Sequence, residues 1–443
     1  MTGVKEYLLR GSSWALFGKF ATVFLNLLLM SVLTRALPPA EMGLYFLAFN
    51  LATFFSILGR GGLENTLLRF IAQTNEPSQA ARLKSILIKG SILVLATILL
   101  TLFIAVISIP WLSNNLFHSE RLASITYLIG IWSILLALQF VTGEVFRGFQ
   151  EIKKAIWFGG LLAAIISVTL ISLGHWLDLL PLFLSTTVTI LILAIATSNS
   201  FALFSLYQKI KPLEQSKANL ISYKELIDHS WPLLINALTL FLLSQSDLWL
   251  LGAFASEKEV AIYGAASRLV LLTAMSLAIV NAVVPPLIAR MHIQNDMPRL
   301  ENLLRTVATL AAIPALIVLA LFIFFSESIM TIIYGEYYRA GSTVLLILCI
   351  GQVANVLVGS CGYTLIMTGY RNTMMLISLI SALVAIISGI VLVHFYGVIG
   401  LAGAYAFALT SQQIAMWLVV RLKCGIWTHA GISFFQPSIF FKK

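Results

Sequence analysis

Charge is what this 443-residue chain has least of: 10% of its residues are Asp, Glu, Lys or Arg, against about 25% in soluble globular domains. So few charges cannot clothe a water-facing surface, which excludes a soluble globular class. Cysteine is scarce too. Cys349, Cys361 and Cys424 are odd in number and form no CxxC or Cys/His cluster, so neither a disulfide framework nor a metal site is expected. The six histidines are scattered, with no pair at i, i+4 and no HExxH. There is no GxxxxGK[ST] phosphate loop and no GxSxG nucleophile turn. These absences point to a carrier that uses no cofactor rather than an enzyme, and to no ATP chemistry within the chain.

What is abundant is apolar sequence, 59% of residues, in runs long enough to cross a bilayer, which takes about 20 residues each. Twelve spans are expected, near 13–36, 42–68, 86–110, 123–146, 156–177, 180–206, 230–252, 260–288, 303–325, 341–368, 373–396 and 400–420. Turn chemistry falls between them: Pro38-Pro39, Asn114-Asn115, Pro212, Pro298 and Tyr396-Gly397. Lys5 and Arg10 before the first run mimic a secretory signal. The run from Trp14 to Leu33 exceeds the usual apolar region of such signals and no A-x-A site follows it. It is expected to stay as the first membrane helix.

The formal net charge of +10 sits in the gaps, which makes it an orientation signal rather than a nucleic-acid footprint. One set of gaps, with both termini, holds Lys84, Arg147, Lys153, Lys154, Lys209, Lys211, Lys217, Arg290, Arg299, Lys442 and Lys443 among others. The other set holds Arg35, Arg121, Lys258 and Arg339. Positive residues stay in the cytoplasm, so both termini are expected there, in a multi-pass protein of the bacterial inner membrane. All short outer gaps argue against a catalytic outer domain of the kind a polymerase needs.

The chain also repeats itself. The hairpin 36–45 is echoed at 254–263, Phe146-Arg147-Gly148 at Met367-Thr368-Gly369, and His175 at His394, all displaced by about 220 residues, the pattern of a parallel transporter repeat. The expected fold is therefore an all-α polytopic bundle of about 12 transmembrane helices. Two six-helix halves, 1–207 and 229–443, are related by a pseudo-twofold axis along the membrane normal and joined by a basic cytoplasmic linker, 208–228.

Ordered motifs give this plan a family resemblance: Gly11-Ser12-Ser13-Trp14, Leu33-Thr34-Arg35-Ala36-Leu37-Pro38, Glu41-Met42-Gly43-Leu44-Tyr45 and Gly59-Arg60-Gly61-Gly62. In the second half come Tyr263-Gly264-Ala265-Ala266-Ser267-Arg268, Tyr334-Gly335-Glu336-Tyr337 and Tyr396-Gly397-Val398-Ile399-Gly400. The chain resembles the polysaccharide/O-antigen flippase family of the multidrug/oligosaccharidyl-lipid/polysaccharide exporter (MOP) superfamily along nearly its whole length. The resemblance implies a MATE-like, V-shaped bundle. It implies movement of an undecaprenyl-pyrophosphate-linked oligosaccharide, an O-antigen or exopolysaccharide repeat unit, from the cytoplasmic to the outer leaflet. A polysaccharide polymerase and chain-length proteins are the partners that go with it. The alternative on the same fold is a cation-coupled multidrug extrusion antiporter.

Among the ionisable residues within expected spans, six stand out: Lys19, Arg60, Glu64, Glu144, Asp247 and Arg268. Each costs about 2.5–3.5 kcal/mol at mid-bilayer, so each should face a cavity or a partner. Lys19 and Arg60 lie about 20 residues, roughly 30 Å, from the first outer turn, near the cytoplasmic side, where they would receive the pyrophosphate. Arg268 is the third candidate substrate contact. Glu64, four residues from Arg60, and Asp247 are candidate coupling or ion-pair groups. Purely structural pairing, Arg60 with Glu64 and Asp247 with Arg268, stands beside the substrate reading, and Lys19 can instead snorkel to the interface. Glu144 is expected to pair with Arg147. Asn26, Asn50, Asn236, Gln245, Asn281, Gln352 and Asn355 could meet sugar hydroxyls or one another.

Overall fold

Apolar runs in lipid must satisfy their backbone internally, so helix is the only open-chain solution. The computed structural model describes residues 2–74, 79–177, 183–211 and 221–431, and helices account for nearly all of them. The first half runs α1 (Thr2–Ala36), α2 (Pro39–Arg60), α3 (Leu63–Thr74), α4 (Ala80–Asn115), α5 (Glu120–Ser124) and α6 (Thr126–Gly148). It continues through α7 (Ile152–Ile156), a π turn (Trp157–Leu161), α8 (Leu162–Trp176) and α9 (Leu184–Ile210). The second half runs α10 (Tyr223–Phe254), α11 (Glu257–Val283), α12 (Pro285–Ile293), α13 (Met297–Tyr334), a 3₁₀ turn (Glu336–Gly341), α14 (Ser342–Val358), α15 (Cys361–Met367) and α16 (Arg371–Cys424).

Among the described residues nine helices are long and apolar enough to cross a membrane, or ten if the bent α10 is one span. Among the described residues the twelve expected intervals are mostly helical, with breaks at Gly61-Gly62 and Gly359-Ser360. The 54 residues of α16 would measure about 81 Å if straight. The chain breaks at Gly397, whose φ of 56° and ψ of −140° leave the helical region, so α16 has two legs where two spans are expected. The protein is a multi-pass membrane protein. Its lipid-facing character is visible on α4, where Leu95, Leu99, Leu100 and Phe103 are all more than half exposed. Stripes of that kind are stable only against hydrocarbon.

The repeat reappears in helix boundaries. α2 begins at 39 and α11 at 257, a shift of 218 residues; α7 begins at 152 and α16 at 371, a shift of 219. Each α2-like helix is followed by a short helix beyond a break, α3 or α12.

Packing divides the chain into two units, Met1–Gln245 and Ser246–Lys443. The division falls inside α10 because the early part of that helix leans on the first unit. Gly62 approaches it so closely that a Cβ there would lie 2.2 Å from the Ser230 carbonyl oxygen. Residues 221–228, expected as linker, are held on the same unit: Lys89 donates to the Ile221 carbonyl at 2.7 Å and Arg82 pairs with Glu225 at 3.8 Å. Pro212, Lys217, Lys442 and Lys443 lie outside the described residues.

In the first unit α2 is enclosed, with Met42 through Ala48 all buried. Trp132 of α6 meets Tyr45 and Phe49 at centroid distances of 6.0 and 5.6 Å, contacts that add about 0.5–1.5 kcal/mol each beyond area burial. In the second unit α11, α13, α14 and α16 pack together, and Gly351 lets α14 approach Ala406.

α11 begins with a capping box. Ser256 Oγ accepts the Glu259 N–H, and the Glu259 carboxylate accepts the Ser256 N–H at 2.9 Å. Ser256→Ala should cost about 1 kcal/mol, read as a lowered melting temperature of the purified protein, with Ser256→Thr close to wild type. Equal melting of all three would show that the box contributes nothing.

Candidate functional site

The first candidate site grows from a helix break. Gly61 ends α2 in the left-handed conformation (φ 59°, ψ 19°), and Gly62 stays left-handed at φ 72°, a backbone glycine adopts without Cβ strain. α3 restarts one residue later. Arg60 therefore occupies the last turn of α2 and Glu64 the first turn of α3. Each charge complements the dipole of its own helix end. Their side chains face each other at 3.6 Å and are 12% and 7% exposed.

Three further groups hold the guanidinium. Its Nε donates to the Ser56 carbonyl at 3.3 Å, and its carbon lies 4.4 Å over the Phe140 ring, a cation–π geometry. Glu144, one turn beyond Phe140 on α6, is within electrostatic reach and also binds Arg147 at 2.9 Å. Arg60 and Glu64 are thus brought together, but across a break between two helices rather than along one continuous helical face. The Arg60–Glu64 contact is loose, well beyond the about 2.7–2.9 Å of a charge-assisted hydrogen bond. Lys19 lies on α1, and its side chain lies outside the described residues.

The second cluster is in the other unit. Asp247 on α10 accepts the Tyr263 hydroxyl of α11 at 2.9 Å and the Leu248 N–H at 2.8 Å. Its neighbour Ser246 shares a hydrogen bond with the Tyr405 hydroxyl of α16 at 2.7 Å. Arg268, five residues beyond Tyr263, is within electrostatic reach of Asp247 and of the buried Tyr334. The phenol contact to the carboxylate is one that the charge-based reading of the sequence passed over. No spacing links Phe140 to Arg60, 80 positions away; Tyr263 sat unused within its own motif.

Most intramembrane amides already have protein partners. Asn50 donates to Gln245 at 3.2 Å, Ser360 donates to Asn281 at 2.6 Å, and Asn355 donates to Gln352 at 3.2 Å. Asn26 donates to the Thr22 carbonyl within α1. The Asn50–Gln245 and Ser360–Asn281 bonds join different segments and are of the kind worth about 0.6 kcal/mol on average in bilayers; the other two each lie within a single helix.

The family model for polysaccharide biosynthesis proteins matches residues 8–292, well over half the chain and the whole of the Arg60 site. The chain belongs to the polysaccharide biosynthesis protein family. A second model, MatE, matches residues 232–391 of this family member. The probable low-salt glycan biosynthesis flippase Agl15 of Haloferax volcanii is 23% identical over 88% of this chain and 78% of its own length. Among solved structures, an inward-facing multidrug resistance MATE family transporter of the MOP superfamily superposes with a TM-score of 0.74. It shows 13% identity and covers 91% of this chain and 94% of that one. The lipid II flippase MurJ in an inward closed conformation gives 0.68 at 18% identity, covering 96% and 89%. This polysaccharide biosynthesis family member thus shares the helical-bundle fold of these two transporters.

Proposed function

We propose that the protein is a flippase that moves an undecaprenyl-pyrophosphate-linked oligosaccharide, an O-antigen or exopolysaccharide repeat unit, from the cytoplasmic to the outer leaflet of the inner membrane. Both termini are cytoplasmic in this reading, by the distribution of Lys and Arg. The observation that carries it is Arg60, a guanidinium placed at a helix break about 30 Å along α2 from Pro39 and only loosely committed to Glu64. A pyrophosphate oxygen pair can displace that carboxylate with bidentate geometry, which a lysine could not copy. Lys19 and Arg268 serve as further contacts to the anionic substrate. Glu64 takes up or releases the guanidinium as substrate arrives, and Asp247 with Tyr263 forms the coupling group. Family membership and the name of the Haloferax volcanii relative support the substrate class.

The MatE match over 232–391 and the Asp247 carboxylate favour a second reading, cation-coupled drug extrusion. Proteoliposomes separate the two. With a fluorescent lipid-pyrophosphate-linked oligosaccharide in one leaflet, transfer measured by quencher access should be fast with protein and negligible without it. An immobile glycan lipid, together with extrusion of a cationic dye down an imposed H⁺ or Na⁺ gradient, would overturn the proposal.

A further inference from the structure

Just beyond α16, residues 425–431 stay on the protein. Gly425 turns it in the left-handed conformation (φ 73°), and the guanidinium of Arg421 holds the Gly425 carbonyl. Residues 426–431 then run as non-helical backbone into the second unit. Ile426 and Thr428 are buried. Thr428 Oγ1 donates to the Val358 carbonyl at 2.8 Å, the Ala430 N–H donates to the Leu357 carbonyl at 2.8 Å, and the Gly431 N–H donates to Thr309 Oγ1 at 3.0 Å.

Physical need explains these contacts. α14 ends at Val358, and the last carbonyls of a helix have no partner within it; in an apolar bundle water cannot supply one. The segment supplies it. Gly359, at φ 80°, makes room: a Cβ there would meet the Thr428 carbonyl oxygen at 2.8 Å. Thr309 lies about 18 Å along α13 from Met297, so the segment reaches well inside the bundle and ties α13, α14 and α16 together.

His429 is at its centre. The Trp417 indole N–H of α16 points at Nδ1, and an Arg305 amino group of α13 lies at Nε2, each at 3.2 Å. Both neighbours are donors. A neutral imidazole has one acceptor nitrogen and can satisfy one of them; an imidazolium has none and sets a second cation beside Arg305. Glu301, 3.5 Å from Arg305, offsets this in part. Arg421 faces the Trp427 ring at 4.8 Å, and the other packed elements offer apolar side chains such as Leu277, Val280 and Leu365. Burial, followed by the Arg305 charge, lowers the His429 pKa, with Glu301 opposing.

We propose that residues 425–431 form an acid-released strap: with His429 neutral it is seated and locks α13, α14 and α16 at one end of the second unit, and protonation of His429 lets it go. The sign follows from linkage. A released histidine titrates near about 6.5, and the seated ring binds its proton less readily. The seated state is therefore fully favoured above that pH and weakens as pH falls through it. The proposal stands whether or not the protein flips a glycan lipid.

Hydrogen–deuterium exchange on the full-length protein in nanodiscs reads it directly, through the Ala430 and Gly431 amides corrected for intrinsic rates. Protection should fall up to about tenfold between about pH 7.5 and about pH 5.5. His429→Gln, which cannot titrate and keeps an acceptor oxygen, should hold its protection at both. Unchanged wild-type protection across the range would overturn the proposal, as would an equal loss in H429Q.

Discussion

Replacing Arg60 with glutamate should reduce glycan-lipid transfer by at least about 100-fold. The substitution removes a bidentate charged contact to the pyrophosphate, in which each hydrogen bond to a charged group is worth about 1.5–3 kcal/mol, and each 1.4 kcal/mol is about tenfold. It also places a carboxylate against Glu64, so loss of activity alone would not separate substrate binding from structural pairing. Breaking one side of a buried pair costs about 3–5 kcal/mol by itself. The deciding variant is the charge swap Arg60→Glu with Glu64→Arg. It restores the attraction across the α2–α3 break while moving the guanidinium off the Phe140 face where it now rests. The swap should recover most of the melting temperature and membrane yield lost in R60E, while transfer stays low. Transfer restored along with stability would show that the pair is structural and that the pyrophosphate is held elsewhere.

Gly62→Ala should be the most damaging single-methyl substitution in the first unit. Its backbone is left-handed, which costs an L-residue about 1–2 kcal/mol. Its Cβ would also lie 2.2 Å from the Ser230 carbonyl oxygen and 2.7 Å from the Leu234 nitrogen, both backbone atoms of α10. Backbone cannot rotate aside as a side chain can, so α10 must shift, an overpacking cost of about 1–3 kcal/mol more. Gly61 is the control. It is equally left-handed, but its Cβ would meet the Thr97 side chain at 3.0 Å, which can yield. G61A should lose about 1–2 kcal/mol and G62A about 2–5 kcal/mol. Thermal denaturation of the two purified variants checks the order. Equal losses would show that contact with α10 adds nothing to the strain.

Much of the architecture was legible in the sequence. Hydropathy is local, and the cost of exposing backbone to lipid is paid within each helix. Twelve apolar runs therefore located most of the helical sequence, and Tyr396-Gly397 located the break in α16. Arg60 with Glu64 was proposed from their four-residue spacing, but they meet across the Gly61-Gly62 break, from two separate helices. Phe140, Tyr263 and the strap were not legible. Phe140 meets Arg60 across 80 positions of sequence, and Thr428 meets Val358 across 70. Neither distance leaves a periodic trace.

The sequence by itself determined that this chain lives in lipid, roughly where its helices lie, and that a few charges are carried inside at a cost. Those outcomes follow from composition and spacing, which act over one or two turns. Only the tertiary structure decided what each inner charge touches, which glycine lets α10 approach, and that residues 425–431 turn inward rather than out. Partner choice depends on which side chains several helices bring to one point, and no single helix carries that information.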